Sequence, residues 1–129
     1  MATQKIRLVQ GDTKPQLILN ITDQRTGLPV DLSDSSTSTL VLFREVGSDA
    51  IKESIPTRPI AGYMDPETEE VTTKAPYDIP GRGGRVVMDW TPDALDTAGE
   101  FEAEAETTFP DGTIQTAYNI LRFQVREQF

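Results

Sequence analysis

The sequence predicts an all-β chain, an antiparallel immunoglobulin-like β-sandwich of about seven strands with a long irregular insertion over residues 48–84. Three observations predict it. Short stretches alternate apolar and polar residues with a period of two, as in Phe101, Ala103 and Ala105 set between Glu100, Glu102, Glu104 and Glu106. Turn signals such as Gly11-Asp12, Thr26-Gly27 and Asp111-Gly112 separate them at intervals of roughly ten residues. No segment carries the apolar spacing of a full helix.

The first strand runs over Lys5–Val9, with Ile6 and Leu8 on one face. Gln10-Gly11-Asp12 ends it. Glycine permits the reversal, Asp12 and Thr13 can bond nearby amides, and Pro15 starts the next strand on an edge. In that second strand Leu17, Leu19 and Ile21 share a face, and Asp23 to Gly27 closes it. Pro29-Val30-Asp31-Leu32 is an extended piece that re-enters the core through Val30 or Leu32, with Asp31 and Asp34 capping the turn that follows. Thr39 to Glu45 is apolar on both faces, which predicts a central, deeply buried strand.

Residues 48–84 hold five of the nine prolines, Pro56, Pro59, Pro66, Pro76 and Pro80. Proline cannot donate to a ladder, so the expectation is a surface excursion with at most short edge strands near Ile51 to Ser54 and Glu70 to Thr73. Gly81-Arg82-Gly83-Gly84 reads as its flexible exit. Tyr63, Met64, Tyr77 and Ile79 have no obvious home sheet there, and either fold back as a satellite cluster or form a subunit interface.

Arg85 to Trp90 is a strand with Val86, Met88 and Trp90 inward, and Thr91-Pro92 opens a single helical turn. The glutamate strand follows, joined by the Phe109-Pro110-Asp111-Gly112-Thr113 hairpin to a last strand. There Ile114, Thr116, Tyr118 and Ile120 share one parity while Leu121, Phe123 and Val125 take the other, which predicts a bulge or bend near Asn119 to Leu121.

Composition bounds the function. The chain has 129 residues, enough for one domain, with no cysteine and no histidine, so thiolate chemistry, the usual general base and the commonest zinc ligands are absent. A net charge of −9 repels phosphate backbones and anionic membranes. No apolar run nears the roughly 20 residues of a membrane span, and the N-terminus lacks the apolar centre of a signal peptide, so synthesis and assembly in a cytoplasm are expected. The acids at Asp65, Glu67, Glu69 and Glu70 match no calcium-loop spacing and read as a solvated loop. Glu100 to Glu106 reads as a wet sheet face, with Arg122 or Arg126 expected opposite. Gly81 to Arg85 lacks the lysine and hydroxyl of a phosphate loop and precedes a strand. No catalytic, cofactor or metal residues are assigned.

The series Gly11-Asp12-Thr13-Lys14-Pro15, Gly27-Leu28-Pro29-Val30-Asp31-Leu32, Leu40-Val41-Leu42-Phe43-Arg44, Trp90-Thr91-Pro92 and Ala98-Gly99-Glu100-Phe101, with the Asp111-Gly112 hairpin, resembles the N-terminal domain of phage baseplate upper proteins and related small tail-associated immunoglobulin-like proteins. The resemblance covers most of the chain outside residues 48–84. It implies a non-enzymatic virion protein in a baseplate or at a tail-fibre attachment point, present in several copies and docking other virion subunits. The larger baseplate proteins continue into a coiled or receptor-binding region; a domain without one suggests an adaptor. Two other readings use the same scaffold: a capsid decoration protein stapling shell subunits, and a carbohydrate-binding module or small hydrolase.

Overall fold

The structure is a computed structural model, and it describes residues 5–14, 16–23, 25–117 and 120–129. Pro15, Tyr118 and Asn119, to which the sequence assigns a strand start, a parity position and a bend, lie outside the described residues. The fold is all-β and sandwich-like. Its strands are β1 (Lys5–Val9), β2 (Ile18–Asn20), β3 (Ser38–Glu45), β4 (Glu53–Pro59), β5 (Tyr63–Met64), β6 (Val71–Thr72), β7 (Arg85–Met88), β8 (Gly99–Thr108), β9 (Ile114–Thr116) and β10 (Leu121–Arg126).

A curled sheet runs in the order β1-β10-β8-β3-β4-β7-β2, with β9 extending the β8 ladder and β5-β6 forming a separate pair. One strand turns the corner. The first half of β4 pairs with β3, from Phe43 opposite Glu53 to Leu40 opposite Pro56. Its second half pairs with β7, from Thr57 opposite Met88 to Pro59 opposite Val86. Pro56 sits at the hand-over, where a missing N–H costs no ladder bond, and its carbonyl accepts from the Asp89 amide at 2.9 Å. The Thr57 hydroxyl donates to the Thr39 carbonyl at 2.7 Å across the same corner. The prolines of this segment therefore do not exclude a strand. What the sequence reads as an excursion contributes a seven-residue inner strand, with Ile55 fully buried.

The sheet is mixed and not purely antiparallel, because β1 pairs parallel with β10, Lys5 opposite Arg122 through Val9 opposite Arg126. Parallel neighbours need a long crossover, and the whole intervening chain supplies it. All other pairings are antiparallel.

The curl places Val86 and Met88 of β7 over the inner face of β3, β8 and β10. Phe43, Trp90, Phe101 and Phe123 form the centre, joined by Val41, Ile55, Leu95 and Val125. A second cluster gathers Ile21, Leu32, Val86 and Ala105, with Val30 packed on it, so both candidate re-entry residues are used. The Thr39 and Thr107 hydroxyls meet at 2.9 Å inside the β3–β8 ladder, satisfying two buried polar groups at once. The cap and hairpin readings hold, whereas among the described residues neither the Asp12 nor the Thr13 side chain bonds a backbone amide. Asp31 accepts from the Ser33 amide at 2.9 Å and Asp34 from the Ser36 amide at 2.8 Å. The hairpin closes with Gly112 N–H donating to the Phe109 carbonyl at 2.9 Å.

Two parity readings change. β3 is central but buried on one face only: Val41 and Phe43 point inward, while Leu40 is 37% exposed on the other side. In the last ribbon Ile114 and Ile120 face outward, exposed by 61% and 37%, and the odd residues Leu121, Phe123 and Val125 face the core. Ile114 and Ile120 are surface residues, so they ask for no inversion of inward parity. The ladder is still interrupted: four residues separate Thr116 from Leu121 while two separate their partners Glu106 and Ala103.

Exposed ion pairs tie the corners. Arg58 donates to both Asp89 oxygens at 2.7 and 2.8 Å, and Lys52 binds Asp96. Hydrogen bonding from Arg58, then its charge, holds Asp89 below the usual carboxylate range. Lys52 and Thr97 do the same for Asp96. A carboxyl whose folded pKa lies below the unfolded value of about 3.9 stabilises the fold above that pH, and the contribution is lost as pH falls through the folded value. Melting temperature is therefore expected to stay level from about pH 7 to 5 and to fall below about pH 4. Asp89→Asn should make that acid limb shallower. Both groups are exposed, so an unchanged limb in Asp89→Asn would show that this pair contributes nothing measurable.

Candidate protein-protein interface

The outer face of the β1-β10-β8-β3-β4 layer is built by the residues that alternate with the core. On β1 these are Lys5, Arg7 and Val9, and on β10 Arg122, Gln124 and Arg126. Neither strand contains an acid, so their pairing brings four of the chain's 12 cations into one strip. On β8 the outward residues are Glu100, Glu102, Glu104 and Glu106, and on β3 Leu40, Leu42 and Arg44.

The registers order these side chains in rows. Lys5, Arg122, Glu102 and Arg44 form one row, and Leu42 lies beside Glu104 and Leu40 beside Glu106 in the rows beyond. Arg44 Nε donates to Glu102 Oε1 at 3.0 Å and Lys5 Nζ lies 3.1 Å from Glu100 Oε2. The glutamates therefore take their cations from β3 and β1. Arg122 stands opposite Glu102 in register but without an ion pair, and Arg126 instead lies over the Phe129 ring at 5.0 Å and donates to the Glu127 carbonyl. Among the described residues, Arg7, Arg122, Glu104 and Glu106 have no ionic partner.

Leu42, Ile51 and Ile120 surround a shallow hollow of about 60 Å³ in this face, bordered by Arg44, Glu102 and Glu104. A second hollow of about 310 Å³ lies at the free β1 edge against Arg7, Val9, Gln124 and Arg126. A third, about 290 Å³, opens between β2 and β8 and is lined by Ile18, Leu19, Ile21, Ala105, Ala117 and Leu121 with only Asn20 and Thr22 as polar residues. The walls of this third hollow are mainly aliphatic, whereas charged side chains border the first two.

The interface residues named from sequence divide. Tyr63 and Tyr77 stack with centroids 5.0 Å apart and planes 25° apart, and Met64 Sδ accepts from Asn20 Nδ2 at 3.9 Å. Each of these three is half-buried, the tyrosines against one another and Met64 beside Asn20, whereas Ile79 is 42% exposed. Asp65 Oδ1 accepts from the Glu67 amide at 2.8 Å, which organises the acidic loop as a turn. Among the described residues no three carboxylates are grouped to hold a metal ion. Four of the large aromatics, Phe43, Trp90, Phe101 and Phe123, are buried together and offer no ring for a sugar to stack on.

The basic strip is the surface that sequence reading misses. Its signal is the absence of acids in Lys5–Val9 and Leu121–Arg126, but two segments more than 100 residues apart become one patch only through parallel pairing. No protein-family model, curated protein or solved structure matches the chain.

Proposed function

We propose that the chain is a non-enzymatic structural protein of a tailed-phage virion, a baseplate or tail-fibre attachment component that works by docking other virion subunits. The observation that carries the docking half of this reading is the uncovered outer face, where exposed aliphatics sit beside unpaired charges of both signs. Isolated exposed leucines are ordinary, but a hollow walled by Leu42, Ile51 and Ile120 within a charged rim has the apolar centre and polar border of an interface. The virion half rests on the resemblance of Gly11 to Pro15, Gly27 to Leu32 and the late hairpin to baseplate upper proteins.

Gold-labelled antibody on intact phage particles tests it. Label at the tail tip is the expected result. Label spread over the head would replace the tail assignment by the capsid decoration reading, and absence of the protein from purified virions, with abundant protein in the infected lysate, would overturn both.

A further inference from the structure

We propose that the outer edge of β1 docks an acidic extended segment of another protein, which joins the sheet as a further strand beside Lys5–Val9. This site is a sheet edge, not the hollow of Leu42, Ile51 and Ile120, and it stands whether or not the chain belongs to a virion.

Its basis is an edge with unpaired backbone. β1 is the terminal strand of its sheet and has β10 on one side only. The Gln10 amide donates to the Arg126 carbonyl at 2.9 Å. Backbone groups alternate in direction along a strand, so Ile6, Leu8 and Gln10 turn theirs toward β10, and Lys5, Arg7 and Val9 turn theirs outward. The Val9 carbonyl is taken by the Asp12 amide at 3.2 Å. Among the described residues, that leaves the amides of Arg7 and Val9 and the carbonyls of Lys5 and Arg7 without a strand partner. Lys5–Val9 contains no proline to block an added strand, and the hollow of about 310 Å³ along it is lined by β1 and β10 alone.

Backbone and charge together select the occupant. The edge offers donors and acceptors in alternation, which a second extended polypeptide matches; a phosphate chain carries acceptors only and leaves the carbonyls unmatched. The side chains then choose among strands. Lys5, Arg7, Arg122 and Arg126 lie on one face of two strands that hold no acid, and Arg7 and Arg122 have no ionic partner among the described residues. A second β1 laid antiparallel about Arg7 would set Arg7 against Arg7, and like charges directly opposite destabilise a pair. The sheet's other edge, β2, brings Ile18, Leu19 and Asn20 and no acid. A segment alternating acidic and aliphatic residues suits both faces. Its acids stand beside Lys5 and Arg7, and its aliphatics stand beside the partly buried Ile6 and the buried Leu8 on the core side.

The probe is an end-capped peptide of about seven residues alternating glutamate and valine, titrated into the whole chain and followed by amide NMR and hydrogen exchange. At saturation it is expected to slow exchange of the Arg7 and Val9 amides at least about tenfold. Its affinity should fall at least about tenfold between about 50 and 500 mM NaCl. The same peptide with lysine for glutamate, or N-methylated at its three central residues, should bind at least about tenfold more weakly. Arg7→Glu with Arg122→Glu should weaken the glutamate peptide by a similar factor; both positions are exposed, circular dichroism checks the fold, and the wild-type titration needs no variant. No binding at about 1 mM peptide overturns the proposal. So does protection confined to other strands, salt-insensitive binding, an N-methylated or lysine peptide that binds equally well, or a folded arginine variant of unchanged affinity. Protection of the same amides without peptide, rising with protein concentration, gives the edge to a second copy and overturns the choice of partner.

Discussion

Phe43→Ala is expected to cost about 3–5 kcal/mol, the range for truncating a buried phenylalanine, and so to take most of the stability of a domain held by about 5–15 kcal/mol. Phe43 is fully buried at the middle of β3. Its ring stacks on Phe101 with centroids 4.9 Å apart and planes at 13°. It also meets Phe123 edge-on at 5.4 Å and Trp90 edge-on at 5.9 Å. Three rings from three other segments thus lose one common neighbour, and backbone pairing on both sides of β3 prevents the strand from collapsing into the space. At about 3–6 °C per kcal/mol for a domain of this size, the melting temperature should drop by at least about 10 °C. Trp90 is the only tryptophan and touches both Phe43 and Phe123, so its fluorescence reports the loss directly. Phe129→Ala, at a fully exposed ring, should leave the melting temperature unchanged. Equal melting of Phe43→Ala and wild type would show that the ring cluster does not hold the two layers together.

Period-two alternation made this core legible. Every inward residue of β8 is apolar or a paired threonine and every outward one from Glu100 to Glu106 is charged, so burial followed directly from the sequence. It failed where both parities were apolar. In Leu40 to Phe43 the sequence cannot say that one face is wet, because the wet face carries Leu40 and Leu42. The same ambiguity made Ile114 and Ile120 look inward. Leu40, Leu42 and Ile120 belong to the outer face of the layer, so an apolar residue at a surface position is where the pattern rule fails.

Long-range pairing was the other source of error. Proline in Glu53–Pro59 argues against a central strand only if the strand keeps the same partner throughout, and β4 exchanges β3 for β7 at Pro56. The parallel β1–β10 pair joins the first described strand to the last, which no local signal encodes. The basic strip was hidden for that reason, while the glutamate row, local to one strand, was visible.

Gly81-Arg82-Gly83-Gly84 shows the same limit most sharply, and Gly84→Ala and Gly83→Ala are expected to destabilise the fold by about 3 kcal/mol or more, at the upper end of overpacking costs. Read locally, the segment is a flexible exit from a loop. In the structure it is a backbone junction. Gly81 N–H donates to the Ile60 carbonyl at 2.9 Å, the Gly81 carbonyl accepts from Leu32 at 2.8 Å, and the Gly84 carbonyl accepts from Ile21 at 2.7 Å. A Cβ on Gly83 would stand 2.0 Å from the Gly62 oxygen, and one on Gly84 would stand 2.4 Å from the Ile21 oxygen. These obstacles are backbone atoms, with Gly62 pinned through its N–H to the Tyr77 carbonyl at 2.8 Å and the Ile21 carbonyl accepting from Val30 at 3.0 Å, so no side chain can rotate away. Gly84 also has φ +77°, which adds strain for any residue with a Cβ. Gly112→Ala separates the two effects: its φ is +86° but nothing lies within 4 Å of the added carbon, so strain alone should cost about 1 kcal/mol. Urea unfolding of the three variants measures the difference. A Gly84→Ala midpoint no lower than that of Gly112→Ala would mean the junction yields, and that the segment behaves as the linker its composition suggests.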